Sequence, residues 1–281
     1  MDLRVRESAF TLTYELRAGD PQLHMRVQGT WFERGTHETG VPVLAAAFPL
    51  ALRDARARYE VPFGAVDRDL HSGEEVPALQ WAQVTGEAGG QGRDEGLRPG
   101  GVRAGCLLVN DSKHGHALDG STLRLTLIRG SYDPDPLPEI GQHEIRLALM
   151  PFADELAVAD ATRRGCDLNH PLRIVGTDVH EGKLPAQAQF ASVGPDNLIV
   201  STVKKAEDEN ALVVRVYETA GQQTTARIRF DRKLLGKVSG AREVDLLERP
   251  VAKSAAKVSG NVVTVAVPPF GIASVKVKFA R

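Results

Sequence analysis

Aromatic residues are scarce in this chain, at 5% of 281 residues, and cysteine is scarcer still, with only Cys106 and Cys166. Two thiols make neither a disulfide framework nor a zinc site, so both are expected to be buried and reduced. Rings this rare usually build cores, which places Trp31 and Trp81 in the interior. Charge of one sign is lacking too. With a formal net charge of -1 no basic field is available to hold phosphates, although Arg53, Arg56 and Arg58 form a local cluster. Nucleic acid is therefore not an expected partner. No stretch approaches the roughly 18 apolar residues that span a bilayer, and Met1–Arg6 does not open a secretory signal. No membrane partner is expected, and a cytoplasmic address follows by default.

What the chain does have is alternation of period two, the mark of half-buried strands. It runs through Phe10–Leu16, Leu23–Val27, Leu123–Leu127 and Ile145–Leu149, and again through Leu212–Tyr217, Ala226–Phe230, Val262–Val267 and Ser274–Phe279. With 27 glycines and 16 prolines to make turns, this predicts an all-β chain of packed antiparallel sheets. One short helix is expected near 152–164, where Phe152, Leu156 and Ala159 share a face and Gly165 follows as a stop. Thr85–Gly101 is rich in glycine without apolar periodicity and reads as a long mobile loop. Pro171, Gly176, Gly182 and Pro185 punctuate a lapse in the pattern. The expected division is a large β-sandwich domain over 1–185 and a smaller terminal β-sandwich over 186–281.

Candidate chemistry is sparse. Asn110-Asp-Ser-Lys-His-Gly115 follows the apolar run Cys106–Val109 and reads as a turn in which Asp and Ser bond their own backbone. Arg129 ends an alternating run, where its fork of donors can clamp a carboxylate or bond hydroxyl groups, or can simply be solvated. His114-x-His116 puts two imidazoles on one face of a strand, but two ligands are not a metal site. Acid–base or nucleophilic work by paired carboxyl groups needs them to face one bond from about 5–5.5 Å apart. Glu74-Glu75 does not qualify, because neighbours in a strand point to opposite faces. Tyr59–Arg68 suits an edge strand entering a turn. Lys276 and Lys278 read as a solvated face guarding a strand against unwanted pairing.

Several phrases, in order, resemble the C-terminal region of bacterial-type family 38 glycoside hydrolases, the α-mannosidases. They are Ala47-Phe-Pro49, Tyr59-Glu-Val-Pro-Phe-Gly-Ala-Val-Asp-Arg68, Val76-Pro-Ala-Leu-Gln-Trp-Ala82 and Leu107-Leu-Val-Asn-Asp-Ser-Lys-His-Gly115 with Leu123–Arg129. Tyr132-Asp-Pro-Asp-Pro136, Gly141-Gln-His-Glu144, Val203-Lys-Lys-Ala-Glu207 and Pro269-Phe-Gly-Ile272 continue the series. The resemblance implies a galactose-mutarotase-like supersandwich followed by a smaller sandwich, with Thr85–Gly101 as an insertion. It implies that the turn faces a catalytic domain near the sugar site, which makes Arg129, Asn110, Asp111 and His114 substrate-proximal, with Ser112 also matching the family pattern. His114 and His116 stand where tyrosines are usual. Zinc and the aspartate nucleophile belong to the family's N-terminal catalytic domain, and none of those motifs occurs here, so no cofactor and no catalytic residue are expected in this chain. The implied partners are the catalytic domain of the same α-mannosidase and α-mannoside glycans, with homo-oligomerisation open. Two other readings are a stand-alone mutarotase or epimerase using His143-Glu144 or His114 with Glu74, and a carbohydrate-binding module without turnover.

Overall fold

The computed structural model describes residues 1–68, 73–88, 102–135 and 137–280. The chain divides into two compact units, Met1–Leu156 with Asp160–Pro171 and Ala157–Ala159 with Leu172–Arg281. Residues 172–185, expected in the large domain, group with the second unit. The exposed stretch 171–190 carries no helix or strand.

The first unit holds β1 (Asp2–Val5), β2 (Ser8–Leu16), β3 (Leu23–Trp31), β4 (Val43–Pro49), β5 (Leu52–Val61) and β6 (Gly64–Arg68). It continues with β7 (Val76–Pro77), β8 (Trp81–Ala88), β9 (Val102–Asn110), β10 (Gly115–Asp119), β11 (Thr122–Arg129), β12 (Gly141–Ala153) and most of helix α1 (Val158–Asn169). An eight-stranded sheet in the order β1-β2-β3-β12-β9-β8-β5-β6 and a four-stranded sheet β4-β11-β10-β7 supply one core. Alternation decides which side chains enter it: Phe10, Val27, Ile145 and Leu147 from the large sheet meet Leu123, Leu125 and Leu127 from the small one. Trp31 joins this core at 1% exposure. Trp81 is fully buried on the other face of the large sheet, where its Nε1 donates to Thr162 Oγ1 of α1 at 3.2 Å.

Three expectations need correction here. The helix begins at Val158 rather than after Pro151, because Pro151–Ala153 continues β12 in register with Cys106–Ala104 of β9. Gly165 lies inside the helix rather than stopping it. A Cβ there would come within 3.0 Å of Gln80 Oε1, so glycine permits the close approach of helix to sheet. Thr85–Ala88, expected in the glycine-rich loop, belongs to β8, while 89–101 lies outside the described residues. The phrase Tyr59–Arg68 forms the β5–β6 hairpin, with β6 at the sheet edge and Tyr59 buried on β5.

The second unit is a sandwich of two four-stranded sheets, made from β13 (Ala191–Gly194), β14 (Leu198–Lys205), β15 (Leu212–Glu218) and β16 (Thr224–Phe230). A short α2 (Arg232–Leu235), β17 (Lys237–Val244), β18 (Lys257–Ser259), β19 (Val262–Val267) and β20 (Ile272–Ala280) complete it. The orders are β13-β16-β19-β18 and β14-β15-β20-β17, closing on Val214, Val216, Ile228, Phe230, Val263 and Val275. The lysine pair of β20 does not guard an edge, since β20 has a neighbour on both sides. Lys276 is 1% exposed, its ammonium 2.9 Å from Asp208, 3.4 Å from Glu209 and 3.4 Å from Glu248. Lys278 stays half exposed and pairs with Glu209 at 2.6 Å. The sequence shows the charges but not the β14–β15 connection that brings acidic residues over the strand.

Among the described residues no helix is long and apolar enough to cross a membrane. Both cysteines are free thiols; Cys106 is buried and Cys166 only partly so.

Candidate functional site

The turn Asn110–Gly115 does more than reverse a strand. It carries the chain from β9 in the eight-stranded sheet to β10 in the four-stranded one. A corner of this kind leaves backbone groups that no ladder satisfies, and Asn110, 1% exposed, supplies their partners. Its Oδ1 accepts from the N–H groups of Ser112 at 3.1 Å and Lys113 at 2.7 Å, while its Nδ2 donates to the carbonyls of Leu79 and Gln80, both at 3.3 Å. Asn169, near the end of α1, donates to the Asn110 carbonyl at 3.0 Å. Asp111 Oδ2 accepts from Arg146 Nε at 3.0 Å, and its Oδ1 accepts from the Ser112 hydroxyl at 3.1 Å. The side chain of Asn110 is thus spent on shaping the corner.

Arg129 stands exposed at the end of β11, opposite Val43 of β4, and makes no side-chain bond among the described residues. The register His116↔Leu125 runs the start of β10 toward the same end of the small sheet as Arg129. The turn and the arginine therefore share one sheet end. His114 is exposed there, with Nδ1 3.0 Å from the Ala78 carbonyl. His116, two residues on, is fully buried, with no hydrogen-bond partner for Nε2 among the described residues and Nδ1 3.3 Å from the His114 carbonyl. Burial pushes its pKa down to about 4. One imidazole is in the turn and the other in the core, so the pair does not fit a metal, and no cluster of three metal-ligating side chains occurs among the described residues. His143 and Glu144 are successive residues of β12 and point to opposite faces: His143 Nε2 lies 2.6 Å from the Glu139 carbonyl, and Glu144 accepts from Gln28 at 2.9 Å. They do not form an acid–base pair.

Sequence reasoning missed three supports of this site. Glu60, 6% exposed on β5, accepts the Gln80 N–H at 2.6 Å, and burial raises its pKa to about 7 against the opposing pull of the Gln80 and Trp81 donors. Arg146 and Asn169 brace the turn from β12 and α1. A cleft of about 490 Å³ also opens beside Arg146 on the outer face of the large sheet. The polar alternate positions of β2, β3 and β12 were visible in sequence, but the register that sets Thr13, Arg26 and Arg146 in one row was not.

Comparison with known proteins gives a consistent picture. Residues 1–137 match the glycosyl hydrolases family 38 C-terminal domain, and residues 197–275 match the glycosyl hydrolases family 38 C-terminal beta sandwich domain. Human alpha-mannosidase 2C1 is 28% identical over 270 residues, which cover 92% of this chain and 23% of that protein. The alpha-mannosidase of Saccharomyces cerevisiae is 26% identical over 262 residues, 84% of this chain and 22% of its own length. The chain thus spans about a quarter of these relatives. Among solved structures, a family 38 protein from Enterococcus faecalis superposes with a TM-score of 0.72 at 15% identity, covering 97% of this chain and 30% of the other.

Proposed function

Because this chain belongs to glycoside hydrolase family 38, as a C-terminal region of its α-mannosidases, we propose that it completes the substrate pocket of a zinc-dependent, retaining enzyme that removes terminal α-linked mannose. The observation that carries this reading is Arg129: an exposed guanidinium without a partner among the described residues, at the sheet end it shares with a turn braced by Arg146, Asn169 and the Leu79–Gln80 carbonyls. A fixed fork of donors on a strand is suited to bonding sugar hydroxyls, and a turn locked by Asn110 offers a wall that loses little entropy on binding. Asp111, Ser112 and His114 are the turn's contributions to that wall, with Asn110 as the positioning residue. The metal and the attacking carboxylate are assigned to a catalytic domain, since His114 and His116 do not fit a metal site. On this reading the chain has no hydrolytic activity by itself, its partners are that domain and α-mannoside glycans, and its setting is the cytoplasm.

The test is hydrolysis of p-nitrophenyl α-mannoside with divalent metal, by the purified chain alone and mixed with a family 38 catalytic domain. Activity is expected only in the mixture. Turnover by the chain alone would overturn its non-catalytic role. A mixture that associates, with both parts folded, yet stays silent would overturn completion of the pocket.

A further inference from the structure

We propose that the cleft on the outer face of the eight-stranded sheet is a binding site for a neutral saccharide, with Arg26, Arg164 and Gln22 as its principal contacts. The inference rests on the cleft alone and stands whether or not the chain completes a mannosidase. Its floor is the row Thr13, Arg26, Arg146 across β2, β3 and β12, with Glu15 opposite His24 in the next row. Its wall is the last turns of α1, through Arg164 and Asp167. At about 490 Å³ it falls in the size range of small-molecule sites.

Most of the charged groups there are already engaged. Arg17 forks onto Glu15 at 3.0 and 2.9 Å, Asp20 lies 2.8 Å from His24, and Arg146 is held by Asp111. Two guanidinium groups remain: Arg26 and Arg164 have no hydrogen-bond or ion-pair partner among the described residues. Gln22 supplies the independent sign of a ligand. The residue lines the cleft at 6% exposure, and its Oε1 is a buried acceptor without a hydrogen-bond partner among the described residues, an arrangement costing roughly 1–3 kcal/mol. Arg26 also sits directly across the ladder from Arg146, a like-charge pairing that a bridging acceptor relieves.

The charge balance selects the class of ligand. Arginines 17, 26, 146 and 164 are matched in the lining by the carboxylates of Glu15, Asp20, Glu144 and Asp167. The fields cancel, so an anion gains little from entering. Vicinal hydroxyl groups suit the site better, because each can accept from a guanidinium while donating to the Asp167 carboxylate or, once the Gln22 side chain turns toward the cleft, to its Oε1. No Phe, Tyr or Trp lines the cleft to stack on a sugar ring, and the one imidazole there, His24, is paired with Asp20, so affinity in the millimolar range is expected.

The test is an NMR titration of the full 281-residue chain with mannobiose and with maltose as neutral disaccharides, and with inorganic phosphate. Saturable shifts with either disaccharide, weakened roughly tenfold or more by Arg26→Gln and by Arg164→Gln in variants whose circular dichroism is unchanged, would support the site. Three results would overturn it: no saturation by either sugar, saturation that both variants leave intact, or saturable binding of phosphate with the sugars silent.

Discussion

Glu60 receives the backbone N–H of Gln80 at 2.6 Å, and Gln80 in turn offers its carbonyl to both the backbone and the side-chain amide of Asn110. A buried carboxyl is thereby tied to the corner between the two sheets. Its folded-state pKa of about 7 lies above the ordinary 4.5. The stabilisation is therefore complete below pH 4.5 and is lost as pH rises through about 7, an effect of order ~3 kcal/mol. Glu60→Gln keeps an acceptor for Gln80 without the charge. Urea unfolding is expected to show this variant gaining stability relative to the parent chain as pH rises through that window, on top of the rise that buried, neutral His116 contributes to both between about 4 and 6.5; parallel profiles would refute the assignment.

Asn110→Ala removes four side-chain hydrogen bonds and leaves the backbone groups of a buried corner unsatisfied. A loss of about 2–4 kcal/mol is expected. Asn110→Asp keeps the acceptor side but not the donors to Leu79 and Gln80, so it should recover only part of the loss. Equal midpoints for parent and Ala variant in chemical denaturation would show that the corner is held by other means.

Arg129→Ala should behave in the opposite way. The side chain is exposed and unpartnered among the described residues, so stability is expected to change by no more than ~0.5 kcal/mol. On the proposed function, kcat/KM of the reconstituted mannosidase should fall by roughly tenfold or more, and Arg129→Lys should not restore it because the planar fork is lost. Full activity in the Ala variant would remove Arg129 from the pocket wall.

In the second unit, Lys276→Ala deletes a covered aliphatic stem together with the cation facing Asp208, Glu209 and Glu248. A destabilisation of about 3 kcal/mol is expected. Lys276→Met restores the stem but not the charge. If packing dominates, Met recovers most of the loss. If charge dominates, both variants unfold alike, more easily at neutral pH than in acid, where the carboxylates are neutralised.

Glu218, fully buried, accepts backbone N–H groups from Ala220, Gly221, Gln222 and Phe270 as well as the Asn197 amide. Burial alone would raise its pKa, but the donors from Phe270, Ala220, Asn197 and Gln222 outweigh it and hold the carboxyl below its ordinary 4.5. This contribution is present above pH 4.5 and is lost as pH falls through the lower folded-state value. Glu218→Gln is expected to cost about 1.5–3 kcal/mol at neutral pH and to flatten the acid limb of the stability curve. An unchanged acid limb would count against it.

The strands were legible because alternation is a local property: Phe10–Leu16 and Val262–Val267 declare their period within a few residues. The limits of α1 were not, because Pro151 looks like a helix start until its pairing with Cys106 across the sheet is known. Lys276 misled for a similar reason, since an alternating lysine reads as solvated unless a distant loop covers it. At the site, the Asx-rich turn was legible from residue type, whereas Arg129 was singled out only through the family resemblance. Their braces, Glu60, Arg146 and Asn169, come from sequence positions far from the turn, and only register and helix placement bring them to it.

The chain changes sheets between Asn110 and Gly115, and one carboxamide fastens that crossing to the Leu79–Gln80 segment that leads into β8. Opening the turn would break the carboxamide's bonds to Ser112 and Lys113 and disturb the side chain that holds the carbonyls of Leu79 and Gln80. A surface turn is in this way given the protection of an interior one, and in hydrogen exchange the amides of Ser112 and Lys113 should open far more slowly than those of an ordinary exposed turn.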